Sequence, residues 1–276
     1  MARILVIANE TIGGRALLDA VRKHVEKGDT QWFLCVPRMQ PSHGSIIYDE
    51  AVYDAAQVRI DLARQFLRSQ MGIEAVGEVG DPDPYAATMD AVGECRPDEI
   101  IVSTMPATSS GWLRRDLVER IGDATGLPVE HVVTDIEKEG MAFTVTLVIA
   151  NRTASTDKLL GRLREKAADG QHVFIVVVPQ EGGQGAHAAA ARGRLGQFLD
   201  RARTSGLVVA GMIGDPDPYT AAMNAIGFFH IDEIVISTLG EERSGWLRAH
   251  VVERIKRSTA APVEHVVADA NTAGVS

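Results

Sequence analysis

Cysteine is almost missing from the 276 residues: only Cys35 and Cys95 occur, far apart and in apolar surroundings. That suggests neither a disulfide framework nor a zinc site, and it fits a reducing compartment. No apolar run approaches the roughly 20 residues of a membrane-spanning helix. The opening MARILVIANE lacks the length and cleavage pattern of a signal peptide and reads directly as a strand. A cytoplasmic protein is therefore expected, with no membrane partner. Basic clusters are also lacking. Lys and Arg number 28 against 37 Asp and Glu, for a net charge of −9 and a pI near 5.4. The cations are scattered, which argues against nucleic acid as a partner.

What is present is a plan used twice. Gly80 to Asp135 is repeated without a gap from Gly214 to Asp269, with 32 of 56 positions identical. Upstream, ILVIAN (Ile4 to Asn9) corresponds to LVIAN (Leu147 to Asn151). With an apolar fraction of 45%, each half has material for its own core. Two domains are expected, 1–136 and 143–270, joined by a short linker.

The pattern within each half alternates strand and helix. Arg3 to Ala8, Trp32 to Val36, Glu74 to Val79, Glu99 to Thr104 and VEHVV from Val129 read as strands, the first an apolar run of the kind buried on both faces of a parallel sheet. Gly13 to Lys27 and Asp49 to Gln70 carry helical periodicity between them. Crossovers of this length demand right-handed parallel connections, so each half is expected to be a five-stranded doubly wound layer of the α/β class. In GDPDP, Asp81 and Asp215 are placed to cap a helix, with Pro82 and Pro216 in its first position. Trp112 and Trp246 are expected to anchor the helix after the fourth strand, read as running from Trp112 to about Thr125.

These segments together resemble the universal stress protein family in tandem form. The resemblance rests on ILVIANETIGGRALL, GDP before the third helix, DEIVIST, RSGWLRAHVVERI and APVEHVVAD. It implies a flavodoxin-like (Rossmann-like) sheet of order 3-2-1-4-5 in each half. It also implies pairing of the last strands, so that the chain forms an intramolecular pseudo-dimer, with room for a further homodimer. Glu130, His131, Glu264 and His265 would then meet near the pseudo-twofold axis. The family's nucleotide-binding branch holds ATP through an aspartate after strand one and a glycine-patterned loop after strand four. Here Asn9 and Asn151 replace the aspartate, and the loop reads Ser103-Thr104-Met105-Pro106 and Ser237-Thr238-Leu239-Gly240. Its final Gly-Ser is matched by Arg115-Asp116 and Ala249-His250.

The candidate ligand residues are accordingly Asn9, Thr104, Ser110 and Gly111 in the first half. In the second they are Asn151, Thr238, Gly240, Arg243, Ser244 and Gly245. The expected cofactor is ATP or AMP, bound weakly and in the second half, where Gly240, Arg243 and Gly245 favour an anion. The resemblance implies a stress-response regulator. No nucleophile with a neighbouring base is legible, so no catalytic residue is assigned and no metal is expected. The alternative is a module of the same fold that binds no nucleotide and recognises a protein.

Overall fold

The computed structural model of the chain describes residues 1–40, 49–106, 116–154, 156–180, 186–240, 245–248 and 250–268. It divides into two units, Met1–Met39 with Ala55–Ala142 and Gln40–Asp54 with Phe143–Ser276. Through the first half run β1 (Ala2–Ile7), a 3-10 turn (Glu10–Gly13), α1 (Arg15–Glu26), β2 (Thr30–Pro37) and α2 (Asp49–Met71). They are followed by β3 (Ala75–Gly80), α3 (Pro84–Cys95), β4 (Glu99–Thr104), α4 (Leu117–Thr125), β5 (Val129–Val133) and the one-turn α5 (Ile136–Glu139). The second half contributes β6 (Thr144–Ile149), α6 (Asp157–Asp169), β7 (His172–Pro179), α7 (Ala186–Thr204) and β8 (Val208–Gly214). It closes with α8 (Pro218–Phe228), β9 (Glu233–Leu239), α9 (Gly245–Arg248), α10 (Val251–Ser258) and β10 (Val263–Ala268).

Each half builds one five-stranded sheet, in the orders β3-β2-β1-β4-β5 and β8-β7-β6-β9-β10. Every strand pairing is parallel. The α/β class and the 3-2-1-4-5 order therefore hold in both halves. In such a sheet the central strand is covered by helices on both sides, so it can be apolar at every position. Ile4 to Ile7 of β1 and Leu147 to Ile149 of β6 are at most 1% exposed. Burial of each such side chain is worth about 1.5–3 kcal/mol. Helix α1 adds Leu17, Leu18 and Val21 from one stripe, and α6 adds Leu159, Leu160 and Leu163.

The repeated glycine of GDPDP is a packing requirement. A Cβ at Gly80 would lie 2.7 Å from Ala87 Cβ and 2.8 Å from Cys35 Sγ, and one at Gly214 would lie 2.7 Å from both Ala221 Cβ and Val177 Cγ1. Glycine lets α3 and α8 approach the strand they follow.

Three local expectations are corrected. The GDPDP helices start two residues late: Asp83 and Asp217 are the caps, accepting from Tyr85 N and Thr220 N, with Pro84 and Pro218 in the first position. Asp81 and Asp215 are spent on a preceding turn, where each Oδ1 accepts from the amide of the second aspartate at 2.8 Å. The residues read as a linker begin with α5, capped by Asp135, whose carboxylate accepts from Lys138 N. The helix expected after the fourth strand is two helices in the second half, because His250 sits between α9 and α10 in the left-handed region (φ 51°). Asp116 repeats that conformation (φ 48°) ahead of α4. Trp112 lies outside the described residues.

Candidate functional site

Strand order reverses between β1 and its neighbours β2 and β4, and the crevice beyond their carboxyl ends is where ligands of such sheets bind. In both halves the segment after the first strand is fastened across that point by its own side chains. Asn9 Nδ2 donates to Pro37 O at the end of β2 at 2.5 Å, and Asn151 Nδ2 donates to Pro179 O at 3.1 Å. Two residues on, Thr11 Oγ1 donates to Ser103 O on β4 at 3.2 Å, and Thr153 Oγ1 to Ser237 O at 2.9 Å. The asparagines thus serve as donors toward a carbonyl. A carboxylate, which only accepts, has nothing to give there, so an asparagine at this place has a structural reason in this chain. Asn9 Oδ1 remains buried with no hydrogen-bond partner among the described residues.

In the second half these elements enclose a cleft of about 300 Å³, lined by Asn151, Arg152, Thr153 and Gln180 on one side and Ser237, Thr238, Gly245 and Trp246 on the other. That is the lower end of the range for small-molecule pockets. Thr238 Oγ1 is 2.7 Å from His265 Nε2, and in the first half Thr104 Oγ1 is 2.9 Å from His131 Nε2. Burial lowers the pKa of both imidazoles, helped at His265 by Lys256. Each therefore holds its threonine as a neutral ring at pH 7.

The halves differ at several positions around this crevice, among them residue 180, Gln where the first half has Arg38. Residue 152 is Arg where the first half has Glu10. Ser237 Oγ is buried and unpartnered among the described residues, whereas its counterpart Ser103 Oγ bonds Thr134 Oγ1 at 3.2 Å. The cause is that Ala268 replaces Thr134. Residue 156 is Thr, capping α6 through Leu159 N, where the first half has Gly14, and a Cβ on Gly14 would come within 2.1 Å of Thr134 Cγ2. Relative to the first half, the second cleft thus trades Glu10 for Arg152 and Arg38 for Gln180, and it holds a serine hydroxyl with no partner among the described residues.

Of the residues expected to contact a ligand, Asn151, Thr238 and Gly245 come together in the cleft. Gly240 is exposed just beyond β9 and does not line it. Asn9 and Thr104 occupy the equivalent places in the first half, while Ser110, Gly111, Arg243 and Ser244 lie outside the described residues. Helix α9, Gly245–Arg248, is a single turn. Arg152 and Ser237 are not among the residues the sequence singles out as ligand contacts. Aligning Asn9-Glu10-Thr11 with Asn151-Arg152-Thr153 exposes the first, but the second requires knowing that residue 134 packs on residue 103.

No family model matches the chain, and no curated protein is similar to it in sequence. Among solved structures it is similar to a universal stress protein from Archaeoglobus fulgidus, at 14% identity and a TM-score of 0.38, over 98% of this chain and 97% of that one. That is the family its motifs resemble. The two strand orders, rather than this likeness, carry the fold. Among the described residues, no helix is long and apolar enough to cross a membrane.

Proposed function

We propose that the second half binds an adenine nucleotide, ATP or AMP, weakly, and that the chain acts as a cytoplasmic regulator of the universal stress type. The observation that carries this reading is the cleft at the switch point of β6, β7 and β9, lined by Arg152 and by Ser237, whose buried hydroxyl has no partner among the described residues. An arginine can answer a phosphate, and a buried hydroxyl without a partner costs stability unless a ligand completes it. In the first half Ser103 Oγ is bonded to Thr134 Oγ1, and the cation stands instead at Arg38, whose Nε donates to Gly80 O. Glu10 stands in the place of Arg152, so the two halves are not equivalent sites. The unpaired thiols Cys35 and Cys95 support a reducing compartment.

Calorimetric titration of the full chain with ATP and AMP at millimolar concentration tests the reading. One equivalent is expected, lost in Arg152→Glu and kept when Glu10→Gln alters the first half. Silence from both nucleotides rejects nucleotide binding, and it favours the module that recognises a protein.

A further inference from the structure

At the opposite end of the first sheet, where the strands begin, three side chains from three elements converge. His24 lies in the last turn of α1, Glu99 opens β4 and Glu130 lies in β5. His24 Nε2 is 2.7 Å from Glu130 Oε2 and 3.6 Å from Glu99 Oε1, and the three donor atoms all lie within 4.8 Å of one another. The imidazole is 4% exposed, and the carboxylates are 32% and 38% exposed. Trp32 packs edge-on against the imidazole at 6.3 Å between centroids. No Lys or Arg pairs with either glutamate among the described residues.

The second half shows what two glutamates at this place require. The strand registers make Glu233 equivalent to Glu99, since Ile4 pairs with Glu99 and Thr146 with Glu233. Glu264 is the repeat of Glu130, and Lys166, the tenth residue of α6, matches His24, the tenth of α1. Lys166 Nζ bridges both carboxylates, at 2.7 Å to Glu233 and 3.2 Å to Glu264. Arg162 adds a two-pronged pair to Glu264, at 2.5 and 3.1 Å. There, two negative charges meet two permanent cations. In the first half the same two carboxylates face an imidazole, and Ala20 stands where Arg162 would. The anionic frame is kept and its built-in cations are gone.

From this juxtaposition we infer that His24, Glu99 and Glu130 bind a divalent transition-metal ion of the zinc type, filling the place that the Lys166 ammonium holds in the other half. One imidazole nitrogen with two carboxylate oxygens is a donor set for such an ion, bound at about 2.0–2.2 Å with ligand atoms about 3.3 Å apart in a tetrahedron. The present spacings reach that arrangement by rotating glutamate side chains. The solvent-facing side leaves the fourth position to water. The ion neutralises two carboxylates as Lys166 and Arg162 do, and it pins α1 to the first residue of β4 and to β5. Hard cations such as Mg2+ find too few oxygens here. Sequence spacing could not show the site, because its ligands are 75 and 31 residues apart.

The test uses the full chain freed of metal, titrated with Zn2+ and separately with Mg2+. Expected are one equivalent of zinc at micromolar affinity, a rise in Tm of roughly 5 °C or more at saturation, no effect of magnesium, and a visible ligand-field spectrum with Co2+. Glu130→Gln is expected to weaken zinc binding at least about tenfold. His24→Lys, which copies the second half, should abolish zinc binding and the cobalt spectrum while raising the metal-free Tm, so lost binding there is not lost folding. Zinc binding unchanged in His24→Lys, or no saturable equivalent in the parent chain, overturns the assignment. Nucleotide binding in the second half is measured separately and stands or falls alone.

Discussion

Asn9 shows how a single residue can keep its place and reverse its role. Its amide nitrogen donates to Pro37 O while the residue is 5% exposed. Replacing it by Asp removes a donor and buries an acceptor against a carbonyl. Asn9→Asp is expected to cost about 1–3 kcal/mol at pH 7, seen as a lower midpoint in urea. The loss should shrink as pH falls from 7 toward about 4, because the buried carboxyl takes up its proton above its ordinary pKa and can then donate again; a loss independent of pH would contradict the clasp. Position 9 was legible in the sequence as a polar residue closing an apolar strand. Its partner was not, since a backbone carbonyl 28 residues away leaves no trace in the side-chain pattern.

At the scale of an element, α1 and α6 are the same helix begun in two ways. Thr156 caps α6, whereas α1 starts at Gly14 without a side-chain cap. Gly14→Thr would supply the side-chain cap, worth only about 0.3 kcal/mol over glycine, but it drives a Cβ into Thr134 Cγ2, and overpacking of that kind costs about 1–3 kcal/mol. The single substitution should therefore destabilise. Gly14→Thr combined with Thr134→Ala should recover at least the loss, and a thermal-melt double-mutant cycle measures the coupling. Additivity would refute the packing account. The helices themselves were legible from their apolar stripes. Their starts were less so: in GDPDP either aspartate could cap, and the choice fell to the one whose amide the other aspartate already holds.

For the whole molecule, two groups of titrating residues oppose each other. Glu78, beside Glu94 and Asp90, is pushed up from 4.5 to about 7 by burial, its hydrogen bond with Glu94 and repulsion. The folded state then holds a proton the unfolded chain has released, so stability falls as pH rises from about 4.5 to 7. Burial holds His172 and His265 below their ordinary 6.5. There the unfolded chain binds the extra proton, so stability rises with pH up to about 6.5 and is lost below it. Glu78→Gln should remove the first slope and raise the urea midpoint at pH 7, while His172→Gln with His265→Gln should reduce the second, leaving the share of His131, which burial lowers in the same way. Opposite signs in either variant would refute the assignment. The repeat and the alternation of strands and helices made both sheets legible, whereas the inequality of the two clefts lies in single exchanges, Glu10 against Arg152, Arg38 against Gln180 and Thr134 against Ala268. The last of these pairs has a consequence for how the chain finds its native state. VEHVV occurs in both β5 and β10, so a newly made chain can lay the wrong copy into either sheet, the error to which tandem repeats are prone. Exchange would set the methyl of Thr134 against Thr156 in one layer and leave a hole between Gly14 and Ala268 in the other. A bulk-matched pair thereby acts as a proofreading device, penalising the misthreaded product in both places at once.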